Sequence, residues 1–433
     1  MKSGTFPGGL CLPMSGAGAS KPFEAVPPSQ TVIIPLKQHV GEPCAVSVKK
    51  GAEVKMGDLL GESESTAVHA TVSGKVTEVI KKFPGMSGGY VPAIGIESDG
   101  RNESGGPLEG SDPMSFIQKA GVVDSDVEAI SLHDKLTLAK EKSVKTLVIN
   151  SVDVEPQMIS RASILAENAK EVAAGIDIIS KILGITTVHI GVSENASNAI
   201  SAISGACSSA ISGACSSANV VSLKPKHPQS LKELLVKAIL DKEVPTGGSP
   251  EDIGVTVISA ETAYFVARAV NDKKPVLERF VTVAGSGIAS PKNVLVRIGT
   301  SIKDVLEHCG VAPGHGGKVI IGGPLMGTAI HSADMPITKE TTGIYVQKER
   351  EIPDFPSGVC IKCGLCVEVC PMRLMPLLIS GFSESGNYTM AEDNDILSCN
   401  ECGCCAYVCP VLIPMVQWIK LGKSEIRAQR SSE

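Results

Sequence analysis

The sequence predicts a multidomain chain of α/β plus all-β architecture that ends in a cysteine-rich helical tail. Three observations predict it. Short β-branched runs separated by Gly and Pro fill residues 31–98. Strand and helix patterns alternate over 115–272. Most of the 14 Cys crowd into the last quarter. The 433 residues allow roughly two to four domains of ~100–200 residues each. A hydrophobic fraction of 43% is enough to fill their cores. Disulfide scaffolds are short and secreted, so clustered Cys in a long chain point to metal binding instead.

Composition also excludes function classes. The net charge of −6 leaves no basic phosphate-binding footprint. Aromatic residues make up only 3%, too few for base stacking, so no nucleic-acid partner is expected. No apolar run reaches the ~18–20 residues of a membrane helix. The nearest candidate, 405–419, is shorter and broken by Pro410 and Pro414. The N-terminus has no apolar signal-peptide core. A soluble, cytoplasmic chain is expected, touching a membrane only through partners.

Residues 1–30 read as an extended arm, because Gly8, Gly9, Pro13, Gly16, Pro22, Pro27 and Pro28 break any regular pattern. Order there requires docking onto something. Residues 31–112 form the all-β part: TVIIPL, AVSV, GKVTEVI and AIGIE are short strands, closed by a polar Gly-rich linker at 100–112. VKKGAEVKMGDLLGE followed by VHATVSGKV resembles the half-motif of a biotinyl/lipoyl-like barrel-sandwich domain. Such carriers present a modifiable Lys at the hairpin tip. The corresponding stretch, 62–69, has none, so a swinging-arm carrier is not expected.

Residues 113–275 carry KTLVIN, a helical pattern at 161–182, TTVHIGV, VVSL, LKELLVKAIL, IGVTVIS and TAYFVARAV. This reads as an α/β domain with a largely parallel sheet. The octapeptide AISGACSS occurs twice, at 202–209 and 210–217. It is expected to lengthen one helix or loop rather than to pair the thiols of Cys207 and Cys215. Residues 276–347 return to strands (RFVTVAG, KNVLVRIG, KVIIGGPLMG, GIYVQ) with one helix at 301–309, a small α+β unit. Residues 348–433 are short helices punctuated by Cys and Pro.

Two cysteine runs carry the chemistry. Cys360, Cys363, Cys366 and Cys370 precede Pro371; Cys399, Cys402, Cys405 and Cys409 precede Pro410. Each is the C-x2-C-x2-C-x3-C-P run of 4Fe–4S binding, in which the fourth Cys ligates the other cluster of a two-cluster protein. Three thiolates on one tight turn reach three corners of a cubane, and the fourth comes from the next helix. One cluster then takes Cys360, Cys363, Cys366 and Cys409; the other takes Cys399, Cys402, Cys405 and Cys370. Structural zinc fits less well, because it uses paired C-x2-C ligands, often with His. Cys404 is off pattern and reads as a packing or supporting thiol. Cys11, Cys44, Cys207, Cys215 and Cys309 read as small buried residues.

The glycine-rich stretches carry less. GSG at 285–287 lacks the third glycine and the context of a dinucleotide fingerprint, and reads as a turn. GHGGK at 314–318 is followed by Val319 where a P-loop needs Ser or Thr. GGPLMG at 322–327 is either a close backbone approach to another body or a tight hairpin.

Taken together, IPLKQHVGEP (34–43), VHATVSGKV (68–76), PKHPQ (225–229), EVPTGG (243–248), ERFVTVAG (278–285), GGPLMG, both Cys runs and CPVLIPMVQWIKLGKSEI (409–426) resemble the C subunits of the Rnf complex. That complex is a membrane-bound ferredoxin oxidoreductase, and the resemblance covers nearly the whole chain. It implies a barrel-sandwich domain, an α/β domain similar to the FMN- and NADH-binding subunit of complex I, a β-grasp (SLBB) domain and a two-cluster ferredoxin domain. It also implies electron exchange between the clusters, FMN and NAD, in a complex that couples ferredoxin oxidation to Na⁺ or proton pumping. The partners implied are the other Rnf subunits, and ferredoxin directly or through one of them. The place implied is the cytoplasmic face of the membrane, held peripherally.

One departure matters. The family's NAD-using members carry a loop of the form G-x-G-G-x-G-F-P-T. Here residues 120–136 read AGVVDSDVEAISLHDKL, with the flanks kept and the loop glycines gone. Asp124, Asp126 and Glu128 fall in the loop. Side chains block the close backbone approach that glycine permits. Each like-charge contact at ~4 Å costs about 4 kcal/mol at an effective dielectric near 20. The family's N-G-A-E-C-E-P segment appears as NSVDVEP, keeping Asn150, Glu155 and Pro156. The expectation is an iron–sulfur relay that binds neither FMN nor NADH in the usual site, with the three acids filling the pocket or facing a partner. The alternatives are an FMN-containing NADH oxidoreductase subunit, of Rnf or of a soluble flavoenzyme complex, and a scaffold stapled by its clusters.

Overall fold

The computed structural model describes residues 4–12, 22–86, 88–125, 129–209, 213–310, 317–352 and 358–432. The arm is docked along the molecule. Gly4 bridges Leu223, Leu10 bridges His227, and Phe6 is buried. Strand β1 (Glu24–Ala25) follows.

The first domain is two small antiparallel sheets face to face. Its strands are β2 (Thr31–Pro35), β3 (Ala45–Val46), β4 (Glu53–Val54), β5 (Leu59–Glu62), β6 (Ala67–His69), β7 (Gly74–Pro84) and β8 (Tyr90–Ser98). The orders are β2-β8-β7-β4 and β3-β5-β6. Alternation sends Val32, Ile34, Leu60, Val68, Ile94 and Ile96 into the shared core.

The second domain opens with α1 (Pro113–Ala120), capped by Asp112, whose carboxylate accepts the N–H groups of Met114 and Ser115. A hairpin of β9 (Val123–Ser125) and β10 (Ala129–Ser131) leads into α2 (Leu132–Glu141). Then come β11 (Thr146–Asn150), α3 (Ser160–Glu167), α4 (Ala169–Leu183), β12 (Thr187–Ser193), α5 (Ser197–Ser209), β13 (Asn219–Leu223), α6 (Lys232–Leu240), β14 (Val255–Ser259) and α7 (Ala260–Asn271). The helical pattern at 161–182 is thus two helices, broken at Asn168. The sheet β13-β12-β11-β14 is parallel throughout. Leu147 and Ile149 face a core with α1, α2, α4, α5 and α7, while Val148 faces α6 on the other side. The chain winds outward from β11 to β13 and then returns to the far side of β11 for β14. The topological switch point therefore lies between the carboxyl ends of β11 and β14, where open α/β sheets bind ligands.

The third domain is a mixed sheet of β15 (Glu278–Ala284), β16 (Lys292–Arg297), β17 (Gly317–Ile321), β18 (Thr328–Ala329) and β19 (Gly343–Lys348), packed on α8 (Ile302–His308). The arm strand β1 extends it by pairing parallel with β16. Lys339 joins the three domains: fully buried, its Nζ donates to Ala67 O at 2.8 Å and to Gly121 O at 2.6 Å.

The tail is helical: α9 (Leu365–Glu368), α10 (Pro376–Glu384), α11 (Tyr388–Asp393), α12 (Cys404–Tyr407) and α13 (Met415–Ser432). The last is 18 residues long rather than short. Among the described residues no helix is long and apolar enough to cross a membrane.

Two expectations about cysteine are corrected. Cys207 and Cys215 form a disulfide, with Cα atoms 5.2 Å apart. The first octapeptide copy ends α5, and the second turns back as a 3-10 helix at Ala214–Ser217, so equivalent cysteines meet instead of extending one element. Cys11 is exposed, because it sits on the arm beyond the docked Leu10.

Candidate metal centres and the sheet crevice

The two cysteine runs are structural copies at a spacing of 39 residues. In the first, Lys362, Gly364 and Arg373 have φ of 57°, 79° and 56°; in the second, Glu401, Gly403 and Leu412 have 52°, 79° and 54°. These left-handed residues turn the chain at equivalent positions in and just after each run. The turn also aims backbone N–H groups at sulfur: Lys362 N to Cys360 Sγ at 3.3 Å, and Glu401 N to Cys399 Sγ at 3.4 Å. Leu374 N donates to Cys370 Sγ at 3.4 Å. The short helices α9 and α12 carry the third cysteines, Cys366 and Cys405.

The eight sulfur-bearing residues divide between two spaces. Cys360, Cys363, Cys366 and Cys409 line a cavity of about 650 Å³ with apolar walls from Leu377, Leu378 and Met415. Cys370, Cys399, Cys402 and Cys405, with the off-pattern Cys404, line a small gap of about 20 Å³ beside Val416 and Ile419. Each set takes three cysteines from one run and one from the other. No three of the described His, Cys, Asp or Glu side chains converge on a single-ion position. The donor chemistry suits iron–sulfur cubanes: at least four thiols per space, N–H donors to sulfur and apolar walls. The second space must widen to hold one. Burial raises the thiols of Cys366, Cys370 and Cys405 and pushes Cys399 up to about 12. Ligation must therefore displace protons.

The second set faces the rest of the molecule. Cys404 is fully buried among Phe6, Leu231 and Leu234 and serves packing, whereas its counterpart in the first run, Leu365, is exposed. His227, from PKHPQ, donates from Nε2 to Cys402 O at 2.7 Å. The GGPLMG segment is both a hairpin, between β17 and β18, and a close approach. Glu155 accepts the N–H groups of Gly323 at 3.0 Å and Leu325 at 2.6 Å. A Cβ on Gly323 would lie 2.4 Å from the Glu155 carboxyl carbon, and one on Gly403 would lie 2.6 Å from Leu325 O. The segment is thus clamped between the parallel sheet and the second cysteine run. The sequence pattern marked it as special without revealing Glu155 as its clamp.

At the switch point an internal ion pair occupies part of the crevice. Asp124, on β9, is 2% exposed. Its Oδ1 accepts Ser259 N at 3.1 Å and Thr262 Oγ1 at 2.7 Å, at the amino end of α7. Its Oδ2 meets Lys135 Nζ at 2.6 Å, and that ammonium also donates to Val257 O. Burial pushes the Asp124 carboxyl up, but the Lys135 charge and these hydrogen bonds outweigh it and hold it below its ordinary value. The α3 end is served the same way: Asp153 accepts Arg161 N at 3.0 Å and Ala162 N at 3.2 Å, and burial raises it to about 7. Arg279 pairs with Glu261 at 3.1 Å and donates to Ser125 Oγ at 2.8 Å.

This revises the charge argument for the loop. Asp124 does not project a free carboxylate; it is paired with Lys135 and caps the amino end of α7. Asp126 and Glu128 lie outside the described residues, as do residues 314–316 of GHGGK. Two helix amino ends, the natural seats for phosphate, already hold internal carboxylates.

An N-terminal barrel sandwich, a parallel α/β domain, a β-grasp unit and paired cysteine runs define an electron-transfer protein of the iron–sulfur class. Residues 4–101 match the family described as the RnfC barrel sandwich hybrid domain, and 117–268 match the Nuo51 FMN-binding domain. Residues 280–329 match the SLBB domain, and 359–413 match the 4Fe–4S dicluster domain. The chain is 36% identical over 428 residues to the C subunit of the proton-translocating ferredoxin:NAD(+) oxidoreductase complex of Clostridium ljungdahlii, covering 96% of this chain and 92% of that one. It is also 36% identical over 444 residues to the C subunit of the Na(+)-translocating ferredoxin:NAD(+) oxidoreductase complex of Acetobacterium woodii, covering 99% of both. The chain belongs to the family of C subunits of Rnf-type ion-translocating oxidoreductase complexes. A likeness of fold extends to the NAD+-reducing [NiFe]-hydrogenase in its H2-reduced state, with a TM-score of 0.51 at 14% identity. That match covers 73% of this chain and 62% of the hydrogenase chain.

Proposed function

We propose that this subunit relays electrons through two 4Fe–4S clusters within an Rnf-type complex that oxidises ferredoxin and moves ions, and that it does so without binding FMN or NADH in the sheet crevice. The observation that carries the relay is the division of eight cysteines into two sets of four, each completed by a cysteine of the other run. Bound clusters would supply one-electron carriers. The chain's own part is to hold the thiolates, donate N–H groups to sulfur and keep water from the second site. The other subunits of the complex are the partners. Ferredoxin delivers electrons directly or through one of them, and the subunit sits peripherally on the cytoplasmic side.

Support for an NAD-independent relay comes from Asp124 and Lys135, which pair inside the crevice. A second reading keeps FMN. Its support is the match of 117–268 to an FMN-binding family, together with a cavity of about 330 Å³ between Ser125, Glu155 and Met326. Flavin extraction from anaerobically purified protein separates the two readings. Iron and sulfide with no flavin upholds the first; stoichiometric flavin upholds the second.

A further inference from the structure

The 39-residue repeat makes the two cysteine sites comparable position by position, and one pair of positions breaks the symmetry. In the second run, Lys423 of α13 is 7% exposed. Its Nζ donates to Cys399 O at 2.7 Å and pairs with the Glu401 carboxylate at 2.7 Å. Glu401 is the left-handed residue whose N–H points at Cys399 Sγ. The corresponding residues of the first run are Glu384 and Lys362, with the charges exchanged, and both are exposed to solvent. The second site therefore has a sequestered ammonium against its first cysteine, while the first site has only solvated charges.

We propose that Lys423, the more buried member of its pair with Glu401, raises the reduction potential of the second cluster above that of the first, with Glu401 partly offsetting it. This rests on the two-cluster reading above. A cluster gains negative charge on accepting an electron, so a sequestered cation beside it favours the reduced state and a sequestered carboxylate opposes it. Solvated charges on the first run are screened and act weakly. Lys423 and Glu401 pull in opposite directions on one cluster and leave the other alone. They are positioning residues: neither contributes a ligand atom.

The experiment is an anaerobic redox titration of the full-length holoprotein, followed by electron paramagnetic resonance at fixed pH. Iron and sulfide analysis comes first, so that loss of the two-cluster reading is seen separately as missing clusters or a single reducible signal. Lys423→Gln is expected to lower the midpoint of one cluster. Glu401→Gln is expected to raise the midpoint of that same cluster by less, and the double variant to fall between the two, below the parent. The other cluster stays fixed in all three. A merely structural role would not give opposite signs. The proposal is overturned if both variants shift the potential in one direction, if both clusters move together, or if neither moves. If Lys423→Gln does not fold with both clusters, Glu401→Gln alone decides by its sign.

Discussion

Lys135 Nζ lies 2.6 Å from Asp124 Oδ2, inside the crevice where a parallel sheet of this order binds ligands. The two residues are 11 apart in sequence, one on β9 and the other on α2, and are almost fully buried. Removing one partner of such a pair withdraws the charge that offsets the other's burial. Asp124→Ala should cost about 3–5 kcal/mol of stability, whereas Asp124→Ala with Lys135→Met should recover most of it. Chemical unfolding of the full chain, read in a double-mutant cycle, checks this. Additive losses would show that the pair is not a coupled unit.

A second prediction concerns the lysine at the junction of three domains. Burial lowers the Lys339 ammonium from an ordinary value of 10.5 to about 8. Between those values the unfolded chain binds more protons than the folded one, so this residue makes stability rise with pH across that window. The gain is bounded by roughly 3 kcal/mol. Lys339→Met abolishes the gain and leaves the carbonyls of Ala67 and Gly121 without a donor. The stability gap between the parent and Lys339→Met should therefore widen from pH ~7.5 to pH ~9.5. A gap that stays constant would place the lysine outside this linkage.

The pseudo-symmetric glycines give a matched pair. Gly364 and Gly403 share a φ of 79°, so Ala at either position meets the left-handed penalty of about 1 kcal/mol. A Cβ at Gly364 meets nothing within 4 Å, but one at Gly403 lies 2.6 Å from Leu325 O. Gly403→Ala should therefore loosen the tail from the GGPLMG segment, and Gly364→Ala should not. Hydrogen exchange of the Gly323 and Leu325 amides reads the difference directly. Equal protection in the two variants would refute the clamp.

Much of this was legible in the sequence because it rests on local chemistry. The cysteine runs are contiguous, the strand and helix periods are regular, and the sheet alternation follows from burial on two faces. The loss of loop glycines was visible as well. What stayed hidden depends on contacts between distant segments. Nothing in the loop announces that Asp124 turns inward to Lys135 and Thr262 rather than outward. Glu155 was visible as a retained acid, but its role as the clamp of Gly323 and Leu325 needs residues far along the chain. The Cys207–Cys215 pairing required the second repeat copy to fold back, which identical sequence does not indicate. The arm's docking onto β13 and both cysteine runs was likewise invisible, since Gly- and Pro-rich sequence reports only the absence of regular structure.

The most direct test of an NAD-independent relay is an anaerobic NADH titration of the purified protein, following the broad iron–sulfur absorbance, with dithionite added at the end to prove the clusters intact. The account predicts no bleaching by NADH and full bleaching by dithionite. Prompt bleaching by NADH would contradict it, and would mean that a flavin and a nicotinamide bind despite the Asp124–Lys135 pair.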